Sequence, residues 1–443
     1  MRDVAIVLVF VWLIPRILRD PFIGSLTWIV FSVLNPHRLT WGFAFSLPFA
    51  MVTALLTLVS LLINTKQPRN LPLTPITVTL LLLVLWMNLS TFQAIFPDSA
   101  QVQYVKVMKT FFMTFIVLIT VRTKEQIHLA VLCTAASVAF YGVKGGIFTI
   151  LSGGGDRVWG PADSYIQDNN GLALALIMTC PLLWYLQAQE QRRWIKRGIW
   201  AGMGLCLVAA IGTYSRGALL AIGATLFMLW LKSKRKVVFA VAFVPVIPIA
   251  AVLMPDQWTD RMNTIQTYEQ DASALGRINA WWMCYNLAKD RLFGGGFSIY
   301  DYETFIRYAP DPNDVHAAHS IYFAALGEHG FVGLFLYLAF GFFCWRAASR
   351  VVRLSRGVAD LQWAYNLGTM LQVTMVSFAV GGAFLSLLYF DVPYYLAMIL
   401  VALDALVKRH LEEAQRERRQ ITKRAKRGIP ALQPSARAPG PSP

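Results

Sequence analysis

The stretch Phe331-Val332-Gly333-Leu334-Phe335-Leu336-Tyr337-Leu338-Ala339-Phe340-Gly341-Phe342-Phe343-Cys344-Trp345 carries no charge and ends against Arg346. Extended by its flanks, such a run reads as a helix in hydrocarbon, where the backbone must satisfy its own hydrogen bonds. Residues 198–211 and 237–254 have the same character. The whole chain agrees with them: its 443 residues are 56% hydrophobic and 14% charged, with a mean hydropathy of +0.51. A water-soluble chain of this size does not bury so much apolar surface. The composition implies an all-α, polytopic integral membrane protein whose first partner is a phospholipid membrane.

Outward from that stretch, the apolar segments are 4–18, 22–34, 43–63, 73–92, 105–121, 127–151, 172–186, 198–212, 218–231, 237–254, 320–345, 363–389 and 394–407. The first two are short for full spans, and the pattern predicts about 12 transmembrane helices. It divides the chain into an N-terminal transmembrane bundle (1–254), a large loop (255–318), C-terminal transmembrane helices (319–408) and a basic, partly disordered tail (409–443). The Pro- and Ser-rich residues 428–443 carry the disorder. No cleavable signal peptide is expected, because the first apolar run lacks a small-residue cleavage site.

The formal net charge of +16 suggests nucleic acid at first sight. Its distribution argues otherwise, since the cations sit in short loops between apolar runs and in the tail, as the positive-inside bias places them. Arg192, Arg193, Lys196 and Arg197 form one cluster; Lys232, Lys234, Arg235 and Lys236 form another. Arg346, Arg350, Arg353 and Arg356 make a third, and residues 408–427 a fourth. With these in the cytoplasm, Arg122, Lys124, Lys66 and Arg69 fall on the same side, as does the C-terminus. Residues 152–171, 213–217, 255–318 and the turn at Asp391 then face the periplasm of a bacterial inner membrane. No nucleic acid partner is expected. The five cysteines show neither metal-ligand spacing nor a disulfide framework.

The loop 255–318 holds nine Asp and Glu against five Lys and Arg, unlike the basic loops. Ile278, Trp281, Trp282, Tyr285 and Leu292 recur there at helical spacing, with Asn279, Lys289 and Asp290 elsewhere. Such a helix can lie on the membrane interface and roof a cavity, or serve packing alone. Gly294-Gly295-Gly296 reads as its stop and a tight turn.

Where that loop gives way to apolar sequence stand His316, His319 and His329, three of the six histidines. His319 precedes Ser320 at the head of the helix expected at 320–345. An imidazole there can take a proton from an attacking hydroxyl, or merely cap a helix. His316 and His319, with Asp314 or Glu328, are weak candidates for metal ligands, since no third ligand is well spaced; no metal is expected. Arg216, in Thr213-Tyr214-Ser215-Arg216-Gly217, breaks two apolar helices: it either meets an anion or snorkels to headgroups. Arg277, after Gly276, falls at the expected start of the Trp-rich helix, where backbone N–H groups and a guanidinium suit phosphate oxygens; the alternative is an exposed loop arginine. Asp168-Asn169-Asn170 caps a helix, with ligand contact open to it. Asp391, among Tyr389, Phe390, Tyr394 and Tyr395, suits either sugar binding or an interfacial aromatic belt.

Four of these stretches also occur in one order: Asp168-Asn169-Asn170-Gly171, Ser215-Arg216-Gly217, Gly276-Arg277 followed by Trp281 and Gly294-Gly295-Gly296, and His319-Ser320 followed by Gly330 and Gly333. Together they resemble the motifs of the bacterial O-antigen ligase superfamily, which includes O-antigen polymerases and protein O-oligosaccharyltransferases. The opening, with Asn35-Pro36-His37-Arg38-Leu39-Thr40-Trp41, is similar to exosortase-associated O-glycosylation ligases. Serine follows His319 where many members have asparagine.

The resemblance implies a GT-C-like, lipid-linked glycan transferase that uses no nucleotide, metal or other cofactor and inverts the anomeric carbon. Its donor would be a glycan on undecaprenyl diphosphate and its acceptor a hydroxyl of lipid A–core, in lipopolysaccharide biosynthesis. His319 would be the general base, and Arg216 and Arg277 would hold the donor diphosphate. Asp168, Asn170, Tyr214, Trp281, His316 and Asp391 are the expected substrate contacts. A polymerase or protein O-oligosaccharyltransferase would use the same chemistry. A lipid or solute transporter is the reading of another class, against which stands the placement of the polar residues mainly in external loops.

Overall fold

A computed structural model describes residues 1–64, 70–233, 235–237 and 272–426. Among these residues all the regular secondary structure is helical, with no strand. The rest of the span expected at 237–254, residues 255–271 of the large loop, Lys66, Arg69, Lys234 and the tail beyond Lys426 lie outside the described residues.

The first two apolar runs form a hairpin of helices, α1 (Arg2–Arg19) and α2 (Pro21–Ile29). Asp20 makes the turn, its side chain accepting from Phe22 N at 3.0 Å, while Pro21 supplies a preset first helical residue. A π-helical turn (Val30–Leu34) and two 3-10 turns (Pro36–Leu39, Phe43–Ser46) lead into α3 (Phe49–Ile63). The segment expected to start at residue 43 becomes α-helical only at Phe49. Pro48 disfavours helical backbone at Leu47 and so delays it.

Then follow α4 (Pro75–Phe92), α5 (Pro97–Thr120), α6 (Lys124–Leu151), α7 (Asn169–Gln189), α8 (Arg193–Gly212) and α9 (Arg216–Lys232). Beyond the undescribed stretch come α10 (Ala272–Asp290), α11 (Tyr302–Tyr308), α12 (Ile321–Ser355), α13 (Gln362–Gly382) and α14 (Asp391–Lys426). Six of these, α4 to α8 and α12, are long and apolar enough to cross a membrane. In its most apolar window α7 is 83% buried, against 22% for α8. That difference makes α7 the central post and α8 a peripheral helix.

Without a hydrophobic drive between helices in lipid, close packing by small residues holds such bundles together. Gly142 and Gly146 of α6 show this: a β-carbon on either would overlap Cys206 or Leu205 of α8.

Two elements depart from the sequence expectation in ways that shape the site. The apolar run 363–389 is not one span. α13 stops at Gly382, and residues 383–390 form a loop in which Leu385, Leu387, Leu388, Tyr389 and Phe390 are buried. α12 breaks at Gly330, which adopts φ +68° and ψ −175°. The glycine turn after α10 packs into that break: Gly295 N and Gly296 N donate to Gly327 O and Glu328 O at 2.9 Å each. Finally, α14 carries its helix well past the span expected at 394–407, so the start of the basic tail is helical.

Candidate active site

The loop 383–390 is the point on which the scattered motifs converge. A β-carbon on Gly217, in the first turn of α9, would stand 3.2 Å from Leu385. One on Gly171, in the first turn of α7, would stand 3.4 Å from Leu387. The ring of Phe384 lies 6.4 Å from that of Trp281 on α10, and Ser386 reaches His319. The N-terminal ends of α7 and α9 thus meet the histidine segment through one short loop.

His319 does not open α12. The helix starts at Ile321 with Ser320 as its N-cap, and His319 precedes it in the left-handed region at φ +43°. Non-glycine residues rarely adopt that backbone and do so mainly where surroundings hold them. Two contacts hold this stretch: Trp281 Nε1 donates to Ala318 O at 2.7 Å, and Trp281 stacks on Phe323 at 4.8 Å with an interplanar angle of 4°. The half-buried imidazole places Nδ1 3.2 Å from Ser386 Oγ. Burial first, then the Arg277 charge, holds its pKa below the ordinary histidine value. The Asp168 carboxylate opposes this and His316 adds a smaller lowering. Burial and the Arg277 charge outweigh the Asp168 carboxylate, and the balance favours a neutral ring at pH 7.

Helix α10 carries Arg277 differently from expectation. The helix already runs at Ala272, so Arg277 sits in its second turn and the terminal N–H groups are not at its position. The apolar pattern is also two-faced. Ala280, Met283, Cys284 and Leu287 form the buried face, whereas Ile278, Trp282 and Tyr285 are exposed. Asn279, expected on the polar side, is buried and clamps the following loop. Its Nδ2 donates to Asp311 O at 2.7 Å and Asp314 O at 2.9 Å, and its Oδ1 accepts from Asp311 N at 2.9 Å. The clamp fixes the segment bearing His316, whose Nδ1 lies 2.6 Å from Asp314 Oδ1. Gly276 leaves room for that ring, since a β-carbon there would stand 2.6 Å from His316 Nδ1.

At the head of α7, Asp168 Oδ1 accepts from Asn170 N and Gly171 N at 2.9 Å each. Asn169 Nδ2 donates to Thr213 O at 2.7 Å, tying this cap to the turn before α9. There Ser215 caps α9 by accepting from Ala218 N at 3.2 Å, and Arg216 takes the first helical position. Asn170 Nδ2 lies 3.4 Å from Asn169 Oδ1. Tyr214, at φ +60°, turns away toward the 152–162 segment: its hydroxyl donates to Gly154 O, and Arg157 sits 5.7 Å from its ring centre.

Asp391 departs furthest from its sequence reading. It is buried rather than displayed among interfacial aromatics, with Thr110 Oγ1 at 3.4 Å and Tyr395 OH at 3.3 Å from its carboxylate oxygens. Its polar needs are met inside the helix packing. His329 is fully buried too: Nδ1 lies 2.7 Å from Ser90 Oγ and Nε2 2.6 Å from Tyr389 OH, while Tyr389 also bonds Glu328. That chain of bonds ties the break in α12 to the end of the 383–390 loop. Sequence reasoning missed Ser386 and Asn279. The signal available for the loop was the Gly381-Gly382 pair, unusual inside one uninterrupted span.

Comparison with protein families identifies two regions. Residues 201–338 match the O-antigen ligase family. This part of the chain is an O-antigen ligase superfamily domain. It takes in Arg216, Arg277, Trp281, His316 and His319, and it supports a ligase- or polymerase-type function on a lipid-linked glycan at a membrane. Residues 1–191 match a family of unknown function. No curated protein matches the chain.

Proposed function

We propose that this O-antigen ligase superfamily protein transfers a glycan from undecaprenyl diphosphate to a hydroxyl of lipid A–core, at the periplasmic face of a bacterial inner membrane. The observation that carries the proposal is the His319 arrangement. A half-buried imidazole, disfavoured from protonation beside Arg277, stands where three motif-bearing segments meet.

In this reaction Nδ1–H donates to Ser386 Oγ and Nε2 accepts the proton of the attacking hydroxyl. The hydroxyl oxygen bonds to the anomeric carbon as the bond from that carbon to the diphosphate oxygen breaks, with inversion. Undecaprenyl diphosphate leaves with an added negative charge. Arg277 and Arg216, the latter in the first turn of α9 where the helix dipole also favours anions, hold that diphosphate. An apolar cavity of about 300 Å³ begins at Ile321 and Tyr322, directly after the His319-Ser320 pair, and continues past Tyr337 to Trp345. It suits the polyprenyl tail. Trp281 and His316 border the sugar, and Asp168 and Asn170 order the head of α7. Tyr214 serves the turn.

The orientation follows from charge: the basic clusters and C-terminus cytoplasmic, residues 152–171, 213–217, 255–318 and 383–390 periplasmic, with about 12 spans. The match of residues 1–191 to a family of unknown function leaves the acceptor as the finer question, because a polymerase or protein O-oligosaccharyltransferase would share this site. Purified protein given one lipid-linked glycan and, separately, lipid A–core, glycan and protein acceptors tests the assignment. Product on lipid A–core alone supports it, and product only on another acceptor replaces it. Donor movement across a bilayer without a new glycosidic bond would make the protein a transporter.

A further inference from the structure

Between the start of α1, the turns after α2, the outer end of α6 and the 157–162 segment lies a cleft of about 930 Å³. All of its lining falls within residues 1–191, outside the O-antigen ligase match. Four cations, Arg2, Arg38, Lys144 and Arg157, line it, and no carboxylate does. Arg38 is neutralised locally by Asp163 at 3.1 Å, which leaves three cations facing the space. Trp41 and Trp159 stand at its edge, 93% and 60% exposed, so two large apolar faces are uncovered beside fixed positive charge.

The walls are built, not loose. Arg2 Nη1 donates to Leu39 O at 3.5 Å and lies 5.5 Å from the centre of the Trp41 ring. Val158 N donates to Gly212 O at 3.1 Å, and Gly160 N to Gln167 O at 3.0 Å. A β-carbon on Gly145 would stand 2.6 Å from Val158, so α6 and this segment are in close contact. Arg157 also faces Tyr214, in the turn that carries Arg216, and so links the cleft to the candidate active site.

We infer that this cleft binds an anionic saccharide, with sugar rings against Trp41 and Trp159 and phosphate or carboxylate groups on Arg2, Lys144 and Arg157. Cations supply the anion contacts, arginine bidentately, and indole faces supply sugar-tolerant apolar area. The volume is near the upper end of that of small-molecule pockets, enough for several rings and more than one phosphate needs. As a substrate-side site of the transferase the inference rests on the proposed function; as a binding site it is tested without turnover.

The test uses the full-length His319→Ala protein in detergent, so that binding and transfer are read separately. The probes are maltohexaose phosphate, plain maltohexaose, inorganic phosphate and phosphatidylglycerol nanodiscs. The phosphorylated sugar should bind at least about tenfold more tightly than either the neutral sugar or inorganic phosphate, as expected when two weak contacts are joined. Lys144→Glu with Arg157→Glu should lose that advantage, and Trp159→Ala should weaken both sugars. Unchanged melting of these exposed-residue variants shows that the fold is kept. Equal binding of the phosphorylated sugar by the charge-reversed protein overturns the inference. So does full competition by phosphatidylglycerol nanodiscs, which would make the cleft a lipid-headgroup site. Wild-type protein that makes no transfer product while binding follows this pattern would count against the proposed reaction and not against the cleft.

Discussion

His319 Nδ1 lies 3.2 Å from Ser386 Oγ, across 67 residues of sequence and from the mouth of one helix to the loop between two others. One ring nitrogen is thereby engaged and the other left for chemistry. A hydroxyl that orients an imidazole without receiving the transferred proton is a positioning group. Ser386→Ala should therefore lower kcat by about 10-fold, less than the 10²- to 10⁴-fold attached to the base itself, with donor KM little changed. Ser386→Thr should recover part of the loss. Steady-state kinetics of both variants check this.

The His319 pKa is held below the ordinary histidine value by burial and by Arg277. As a base His319 must be neutral, so activity should fall as pH drops through that lowered pKa and be level through pH 7. Arg277→Gln removes a positive neighbour, which raises the pKa and moves the acidic limb of the kcat/KM profile to higher pH. A limb that stays in place would detach Arg277 from His319.

Donor binding should depend on both arginines. Arg216→Ala and Arg277→Ala should each weaken use of the diphosphate donor by about 10- to 100-fold, in line with a charge-assisted contact worth roughly 1.5–3 kcal/mol. Measurement of kcat/KM with varied donor and saturating acceptor gives the answer.

The break in α12 is a stability feature. Gly330 holds φ +68°, and its neighbourhood is filled by the turn after α10. Gly330→Ala adds strain of about 1–3 kcal/mol and pushes against that turn. A lower thermal midpoint in detergent is expected, with loss of activity in proportion to unfolding.

At the other end of α12, Arg350 Nε and Nη2 meet Asp404 Oδ1 and Oδ2 at 2.8 and 2.9 Å, and Lys408 adds a third contact to Asp404 at 2.8 Å. The Asp404 side chain is nearly buried and that of Arg350 partly exposed. Asp404→Ala should destabilise by about 1–3 kcal/mol, below the cost for a fully buried pair because water screens the arginine. A double-mutant cycle with Arg350→Ala isolates the pair.

Much of this architecture was legible because hydrocarbon imposes a simple rule on sequence: long uncharged runs become helices. The membrane class and the helices from α4 to α8 follow from it, and the Asp168 cap follows from the preference for Asp at a helix start. The rule fails where a segment is apolar because protein, not lipid, surrounds it. Residues 383–390 carry Leu385, Leu387, Leu388 and Phe390 for that reason, so the loop that gathers the site looked like the end of a span. Asp391 misled in the opposite sense. Tyr395 is one turn along its own helix, but Thr110 comes from α5, whose packing against α14 no local pattern reveals. The four motifs could be ordered along the chain, whereas Ser386, which joins His319 to them, belongs to no motif.

The most direct measurement is transfer of lipid-linked glycan to lipid A–core by purified wild-type and His319→Ala proteins of equal melting temperature. Wild type should form the glycosylated acceptor and release undecaprenyl diphosphate in equal amounts, and His319→Ala should form neither at a rate within 100-fold of wild type, the scale of a lost general base. Equal rates from the two proteins would contradict the central claim that His319 takes the proton.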